Sequence, residues 1–351
     1  MRVGIYGLRD QNGDDLVVQQ VYEKILAHNG IPSVRLRIEQ PDFWSNVRDL
    51  SLFIMRFQNY DSDLAQARDI LPIVESDYGV PCYPDQATAW HYDDKVKQAF
   101  LLKAHGFPMT ESWVFYERAA ALEWAKSTSY PVVFKLRGGA GSSNVILVRT
   151  QAHAERLIHR MFGRGIYPAK FRTPGSVRFQ HFNLYRELHR QAGNLYRRSK
   201  GLDTSAIWQV HKNYVLFQKF LPRNDHDTRI TVIGDRAFGF RRLVRDNDFR
   251  ASGSGRIDYD VDAIDMRCVE MALAISKKMR FQSMAYDFLI NEHGAPEFCE
   301  ISYAYVPSAV QRCPGYWDAD LNWHEGHFWP EHLHLIDALG LSDLKAPELD
   351  Y

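Results

Sequence analysis

The stretch Tyr130-Pro-Val-Val-Phe-Lys-Leu-Arg-Gly-Gly-Ala-Gly141 joins an apolar run to a glycine-rich turn, with Lys135 directly after the run. A short apolar run beside a glycine-rich turn favours a buried β-strand. Glycines let backbone N–H groups approach a ligand without steric cost, and such groups bind phosphate oxygens. Lys135 would bring a compact positive charge to the same oxygens. The stretch therefore predicts a strand that leads into a candidate phosphate-binding turn.

The composition is that of a folded chain with no global charge. Of the 351 residues, 45% are hydrophobic and 25% are charged, and the 43 basic residues balance the 43 acidic ones. This balance excludes a disordered tail protein and argues against a nucleic-acid or anionic-membrane partner. No apolar run approaches the roughly 20 residues that span a bilayer, and the start has no signal-peptide pattern. We therefore expect a cytoplasmic protein without a membrane partner, with its four cysteines reduced.

The first part of the chain alternates strand and helix patterns. Val3–Leu8 reads as a strand, Leu16–His28 as a helix that ends at Asn29-Gly30, and Pro32–Ile38 as the next strand. This order predicts a parallel sheet covered by helices, and we assign residues 1–87 to an N-terminal Rossmann-like domain. Since no Gly-x-Gly-x-x-Gly follows the first strand, no dinucleotide site is predicted there.

The middle of the chain, residues 88–217, reads as a second unit with an unusual insert. Segment 160–212 carries 11 lysines and arginines but only two acidic residues, interleaved with aromatic residues. One interpretation is a clamp for an acidic acceptor, such as a phosphorylated or uronate-bearing sugar or a polyacidic peptide. The other is a solvated amphipathic helix whose aromatic residues pack inward.

Residues 218–312 read as a third, strand-rich unit. Its last two strands are predicted to form a hairpin around Glu292-His-Gly294, which places Asp287 and Glu300 on adjacent strands. Two carboxylates across a hairpin can share Mg²⁺, which prefers carboxylates, water and phosphate oxygens. The tail 313–351 is rich in Trp and His, and we expect it to pack on the preceding unit. Zinc binding by its histidines is disfavoured, because their spacing is not His-Glu-x-x-His.

Six motifs, in this order, give the chain a resemblance to a known superfamily. They are Asp94-Lys95 with Leu101-Leu-Lys-Ala-His-Gly-Phe-Pro108, the quoted stretch 130–141, Phe217-Gln-Lys-Phe-Leu221, Asp227-Thr-Arg-Ile-Thr-Val-Ile-Gly234, Phe249-Arg-Ala-Ser252, and Tyr286-Asp-Phe-Leu-Ile290 with Glu297-Phe-Cys-Glu-Ile-Ser302. Over roughly residues 85–305 the sequence resembles the ATP-grasp superfamily, in particular the branch of ribosomal-protein glutamate ligases and related carboxylate–amine ligases. The resemblance implies an α/β fold with a parallel-sheet domain followed by a two-subdomain ATP grasp.

The resemblance also implies roles for individual residues. Lys95 and Lys135 would hold ATP phosphates under a flexible lid that includes Gly139, Gly141, Ser142 and Ser143. The hinge Gln218, Lys219, Phe220 and Leu221 would bind adenine, and Asp227, Arg250, Ala251 and Ser252 would contact the nucleotide. Asp287, Glu300 and Ser302 would hold Mg²⁺, with Mn²⁺ as an alternative. The third metal position is usually Asn in this superfamily, and Ser302 is a poorer ligand, so the number of bound metals stays open.

The implied activity is an ATP-dependent ligation that forms a C–N bond. A carboxylate of an acidic small molecule or glycan precursor would be activated as an acyl phosphate and then attacked by an amine or amino acid. Arg229 and one of Arg241 and Arg242 would stabilise the second step; side chains alternate along a strand, and we favour Arg242. Alternatives are a small-molecule kinase of the same fold and a degenerate nucleotide-binding or scaffolding protein. The sequence leaves a homo-oligomer open.

Overall fold

The computed structural model describes residues 1–9, 16–139, 144–166, 168, 209–244 and 255–349. Most of the basic insert, the lid residues Gly141, Ser142 and Ser143, and the segment Arg250, Ala251 and Ser252 lie outside the described residues. The expectations for these segments therefore stay predictions. No helix among the described residues is long and apolar enough to cross a membrane.

The N-terminal residues form a parallel four-stranded sheet, as the alternation of patterns predicts. Its order is β2-β1-β3-β4, and its strands are β1 (Val3–Tyr6), β2 (Ser33–Leu36), β3 (Leu52–Ile54) and β4 (Cys82–Tyr83). Its helices are α1 (Val17–His28), α2 (Phe43–Arg48), α3 (Asp61–Pro72), which continues into a π-helical turn at Ile73–Asp77, and α4 (Gln86–Ala89). The carboxyl ends of these strands form the edge at which open α/β sheets bind ligands.

A second sheet of four strands is entirely antiparallel and has the order β5-β8-β6-β7. Its strands are β5 (Ser112–Phe115), β6 (Val132–Lys135), β7 (Val145–Val148) and β8 (Val215–Lys219). Helix α5 (Lys95–Ala104) precedes this sheet, and α6 (Arg118–Ser127) and α7 (Gln151–Met161) pack on it. Small residues such as Ala121 and Ala154 let these helices approach the buried rings of Phe134 and Phe217.

A third sheet of seven strands has the order β13-β12-β9-β10-β14-β15, with β11 paired to β10. Its strands are β9 (His226–Ile233), β10 (Arg236–Leu243), β11 (Ile257–Asp258), β12 (Ser283–Ile290), β13 (Pro296–Ser302), β14 (Gly315–Trp317) and β15 (Trp323–Glu325). Helix α8 (Met266–Met279) covers one face and buries Val269, Ala272 and Ile275. The predicted fold class, a parallel N-terminal sheet followed by a two-part α/β unit, is confirmed.

Helix α8 begins later than the sequence pattern predicts. A helix is expected from Asp262, but a short 3₁₀ turn at Val261–Ala263 comes first. The side chain of Asp265 then accepts a hydrogen bond from the backbone N–H of Arg267 and caps the helix. A capping aspartate satisfies one of the free N–H groups of the first turn, which fixes the helix start at Met266.

The C-terminal tail connects the first and third sheets. After α9 (Pro307–Gln311) it adds β14 and β15 to the large sheet and ends in α10 (Pro330–Leu339). Leu333 packs in the cluster of Phe238 and Phe240, whereas Leu335 packs in the cluster of Tyr22 and Ile25. One helix therefore fills a gap between the N-terminal domain and the large sheet.

We expect Leu335→Ala to lower the free energy of unfolding by about 2–5 kcal/mol, because it leaves a cavity at a side chain that is 1% exposed. Chemical denaturation of the purified chain measures the change. Phe100→Ala is the control: it removes a larger side chain, but that side chain is 49% exposed. Equal losses for the two variants would contradict the packing role of α10.

Candidate active site

The small antiparallel sheet and the large sheet enclose a cleft that brings distant motifs together. Lys95, Lys135, Gly139, Gln218 and Asp227 line it, with Arg242, Asp287, Cys299 and Glu300. The hinge residues Lys219, Phe220 and Leu221 line it as well. The cleft thus contains every described residue that the sequence assigns to nucleotide contacts.

Two lysines project into this cleft from different elements. Lys95 is the first residue of α5, and its Nζ lies 3.0 Å from Glu300 Oε1 and 2.9 Å from the carbonyl oxygen of Gly139. Burial alone lowers the pKa of Lys95, but the Glu300 and Asp93 carboxylates outweigh burial and raise it. Lys135 ends β6, and its Nζ lies 3.5 Å from Cys299 Sγ. Both side chains can therefore present ammonium groups to an anion in the cleft.

The start of the glycine-rich turn is held by a residue that the sequence motifs did not single out. Gly139 has a φ of +117°, and its N–H donates to the carboxylate of Asp93 at 2.8–2.9 Å. A Cβ at Gly139 would lie 2.0 Å from Asn144 Nδ2, so only glycine fits this position. Asp93 directly precedes Asp94, the N-cap of α5. The one sequence signal that could have identified Asp93 is this pair of aspartates before the helix. The turn is thereby anchored to the helix that carries Lys95.

The predicted hinge begins with the last two residues of strand β8, Gln218 and Lys219. Gln218 is buried and donates from Nε2 to Ser112 Oγ at 3.1 Å, and the backbone N–H of Lys219 donates to the carbonyl oxygen of Glu111. Phe220 and Leu221 continue into the loop before β9. The segment thus runs along the cleft as it passes from the small sheet to the large one.

Four charged side chains, three buried and one partly buried, form a continuous ionic ladder on the large sheet. We use this name for Asp227, Arg242, Asp287 and Arg229. Arg242 donates to both carboxylate oxygens of Asp227 at 2.6 and 2.7 Å and to Asp287 at 2.6 Å. Arg229 donates to both oxygens of Asp287 at 2.7 and 2.8 Å. Burial alone raises the pKa of Asp287, but the two guanidinium groups outweigh it and hold that pKa well below its ordinary value.

The strand register explains how the ladder forms. Arg242 is directly opposite Asp227, Arg229 is opposite Asp287, and Asp287 is opposite Glu300. Directly opposite residues of antiparallel strands share one face of the sheet. Arg241 points to the other face and pairs with Asp258 instead. Three cations and three carboxylates thus collect at one end of the cleft when Lys95 and Glu300 are included.

The carboxylates at this end that could hold Mg²⁺ together with phosphates, Asp287 and Glu300, are paired with Arg229, Arg242 and Lys95 in this structure. Asp287 and Glu300 offer carboxylates on one face, and no group of three or more metal-binding side chains occurs within the described ranges. Mg²⁺ typically takes one or two protein carboxylates and fills its remaining positions with water and phosphate oxygens. The Ser302 hydroxyl donates its hydrogen to the carbonyl oxygen of Ala304 at 2.9 Å. Ser302 could therefore bind a metal ion only through the lone pairs of its hydroxyl oxygen.

A larger cavity of about 630 Å³ adjoins this cleft. It lies between the N-terminal domain, the large sheet and the start of α9, and its lining includes Arg56, Tyr92, Arg229, Ser302 and Tyr305. Arg242, Asp287 and Glu300 line both the cavity and the cleft. The two spaces therefore meet at the ionic ladder. Arg56 was missed in the sequence, because a single arginine after a strand forms no recognisable pattern.

The sequence was compared with protein-family models and with curated proteins. No family model matches the sequence. A segment of 88 residues, 25% of this chain and 21% of the relative, is 38% identical to phosphoribosylamine–glycine ligase of Allochromatium vinosum. The chain is 23% identical over 261 residues to α-aminoadipate–LysW ligase LysX of Saccharolobus solfataricus, which covers 71% of this chain and 77% of that one.

A solved structure supports the same class over most of the chain. The RimK-domain ATP-grasp protein of Sphaerobacter thermophilus superposes with a TM-score of 0.52 at 17% identity, covering 89% of this chain and 95% of the other. The chain has the ATP-grasp fold, and the resemblance inferred from the six sequence motifs is confirmed.

We expect Arg242→Met to lower the free energy of unfolding by about 3–5 kcal/mol, because it leaves the buried carboxylates of Asp227 and Asp287 without their shared partner. Arg241→Met is the matched control on the same strand. Its partner Asp258 is more exposed, so a change below about 1 kcal/mol is expected. Denaturant unfolding compares the two variants, and similar values would argue against the ladder as a buried unit.

Proposed function

We propose that this protein is an ATP-dependent carboxylate–amine ligase that forms a C–N bond and releases ADP. The observation that carries the proposal is the meeting of the two spaces at Arg242, Asp287 and Glu300. A nucleotide in the cleft would place its γ-phosphate at this junction, next to a substrate in the larger cavity. The named ligases among its relatives support the same reaction class.

The first step is phosphoryl transfer to a carboxylate. An oxygen of the substrate carboxylate attacks the γ-phosphorus, the bond to the β-phosphate oxygen breaks, and ADP leaves as the acyl phosphate forms. Lys95 and Lys135 neutralise phosphate oxygens, and their placement on separate elements allows them to contact different phosphates. Mg²⁺, when bound by Asp287 and Glu300, would neutralise further phosphate charge.

The second step joins the amine. Its nitrogen lone pair attacks the acyl carbon, phosphate leaves, and the nitrogen loses a proton. Negative charge develops on the acyl oxygen during the attack, and Arg229 and Arg242 lie at the wall of the larger cavity where that oxygen would be. Their pairing with Asp227 and Asp287 fixes both guanidinium groups in advance, so little reorganisation is needed.

A phosphate-release assay tests the reaction class. Purified protein with Mg²⁺ and ATP is screened against a matrix of carboxylic acids and amines, and we expect rapid release only when one acid and one amine are both present. Release or ADP formation with a substrate alone, and a phosphorylated product that an amine leaves unchanged, would instead identify a small-molecule kinase. Nucleotide binding without turnover for any pair would favour the degenerate alternative.

We expect Lys135→Met to weaken Mg²⁺–ATP binding by roughly 10- to 100-fold, because it removes one charge-assisted contact to phosphate. Isothermal titration calorimetry measures the affinity. Lys126→Met is the matched control, since Lys126 lies on the exposed side of α6 and forms an ion pair with Glu123. Unchanged affinity in a folded Lys135→Met protein would remove Lys135 from the phosphate site.

A further inference from the structure

The larger cavity contains an arginine that the proposed reaction does not use. Arg56 follows β3 at the carboxyl end of the N-terminal sheet and lines the cavity but not the nucleotide cleft. Its Nη2 donates to the carbonyl oxygen of Tyr305 at 2.8 Å, and its guanidinium lies 5.7 Å from the centre of the Tyr305 ring. Its buried Nε has no hydrogen-bond partner among the described residues. This cation is therefore only partly satisfied by its surroundings.

A second polar group near Arg56 is also unsatisfied. Asn59 lines the same cavity and is 9% exposed, and its Nδ2 donates no hydrogen bond within the described part of the chain. A buried donor without a partner costs about 1–3 kcal/mol, so such groups in a cavity wall point to a ligand that accepts from them. Two residues with buried, unsatisfied donors thus lie on one loop in the wall of the same cavity.

The loop that carries both residues is fixed in place. The backbone N–H of Phe57 donates to Tyr303 Oη at 3.1 Å, and Tyr303 Oη donates to the carbonyl oxygen of Phe57 at 2.9 Å. The backbone N–H of Gln58 donates to Asp63 at 3.2 Å. The Tyr305 hydroxyl oxygen lies 2.7 Å from His334 Nε2, and this hydrogen bond fixes the Tyr305 side chain. The unsatisfied donors therefore belong to a preorganised wall.

The charges around the cavity make Arg56 different from the other two arginines in its lining. Arg229 and Arg242 are each bound to an aspartate in the ionic ladder. Among the described residues no carboxylate lies within ion-pair distance of Arg56, although the buried Glu331 carboxylate helps to raise its pKa, and its one side-chain hydrogen bond goes to a neutral carbonyl. The planar guanidinium of arginine matches a carboxylate with two parallel N–H donors.

We propose that Arg56 and Asn59 form an anion subsite that binds a second, non-reacting carboxylate of the acid substrate. The inference rests on the proposed function: the reacting carboxylate would lie at the ladder, and the second would lie against Arg56 and Asn59 in the wall of the same cavity. Phe57, Tyr92 and Tyr305 also line the cavity, which favours a dicarboxylic acid with an apolar middle.

Binding of simple diacids tests the subsite without requiring turnover. The full chain, saturated with Mg²⁺ and a nonhydrolysable ATP analogue, is titrated by NMR with α,ω-dicarboxylates from succinate to suberate and with their monomethyl esters. We expect at least one diacid to bind about tenfold more tightly than its monoester. Arg56→Gln should abolish this preference and Arg56→Lys should retain part of it, whereas the exposed Arg118→Gln should keep it.

A second variant covers the case in which Arg56→Gln does not fold. Asn59→Asp is nearly isosteric and places a negative charge beside the subsite, so it should also abolish the diacid preference. Nucleotide affinity should stay unchanged in every variant, because neither residue lines the nucleotide cleft. The inference is overturned if no diacid outcompetes its monoester, or if the preference survives in folded Arg56→Gln or Asn59→Asp.

The outcomes separate this inference from the proposed ligase function. Diacid binding that depends on Arg56, without phosphate release for any amine, would support the subsite and count against the ligase. Phosphate release that needs an acid and an amine, but is indifferent to Arg56→Gln, would keep the ligase and overturn the subsite.

Discussion

The site depends on one arrangement of charge, the buried ladder in which Arg242 and Arg229 hold Asp227 and Asp287. Isolated charges of this kind cannot be buried without a large desolvation cost, and mutual pairing is what offsets it. The pairing in turn requires that three adjacent strands keep one register, since a shift of one residue would turn each side chain to the opposite face. The same register places Arg242 and Asp287 in the walls of both the cleft and the larger cavity.

Long elements could be predicted from the sequence because their periodic patterns extend over many residues. The helix predicted at Leu16–His28, observed as Val17–His28, and the hairpin that brings Asp287 opposite Glu300 are examples. Very short elements gave no such signal: β4 has two residues and β15 has three. Helix α10 was missed within a tail that is dominated by aromatic residues and histidines, although Pro330 stands at its first turn.

The candidate site was only partly predictable, for a physical reason. Lys135, Asp287 and Glu300 stand at strand positions whose motifs identify them individually. The contacts of Asp93 with Gly139, and of Arg242 with both Asp227 and Asp287, arise between segments far apart in sequence. Such pairs depend on how sheets and loops meet in three dimensions, which no local pattern encodes. Arg56 became a candidate for the same reason, once the cavity around it was known.

The last helix has a consequence for how the chain matures. The core that contains Val3 and Ile5 also contains Leu335, Leu344 and Leu349. During synthesis on the ribosome the first strands emerge long before these leucines, so one apolar side of the first sheet stays uncovered until the segment 335–349 has been made. Its completion, and with it the wall that carries Arg56, is a late event of biosynthesis.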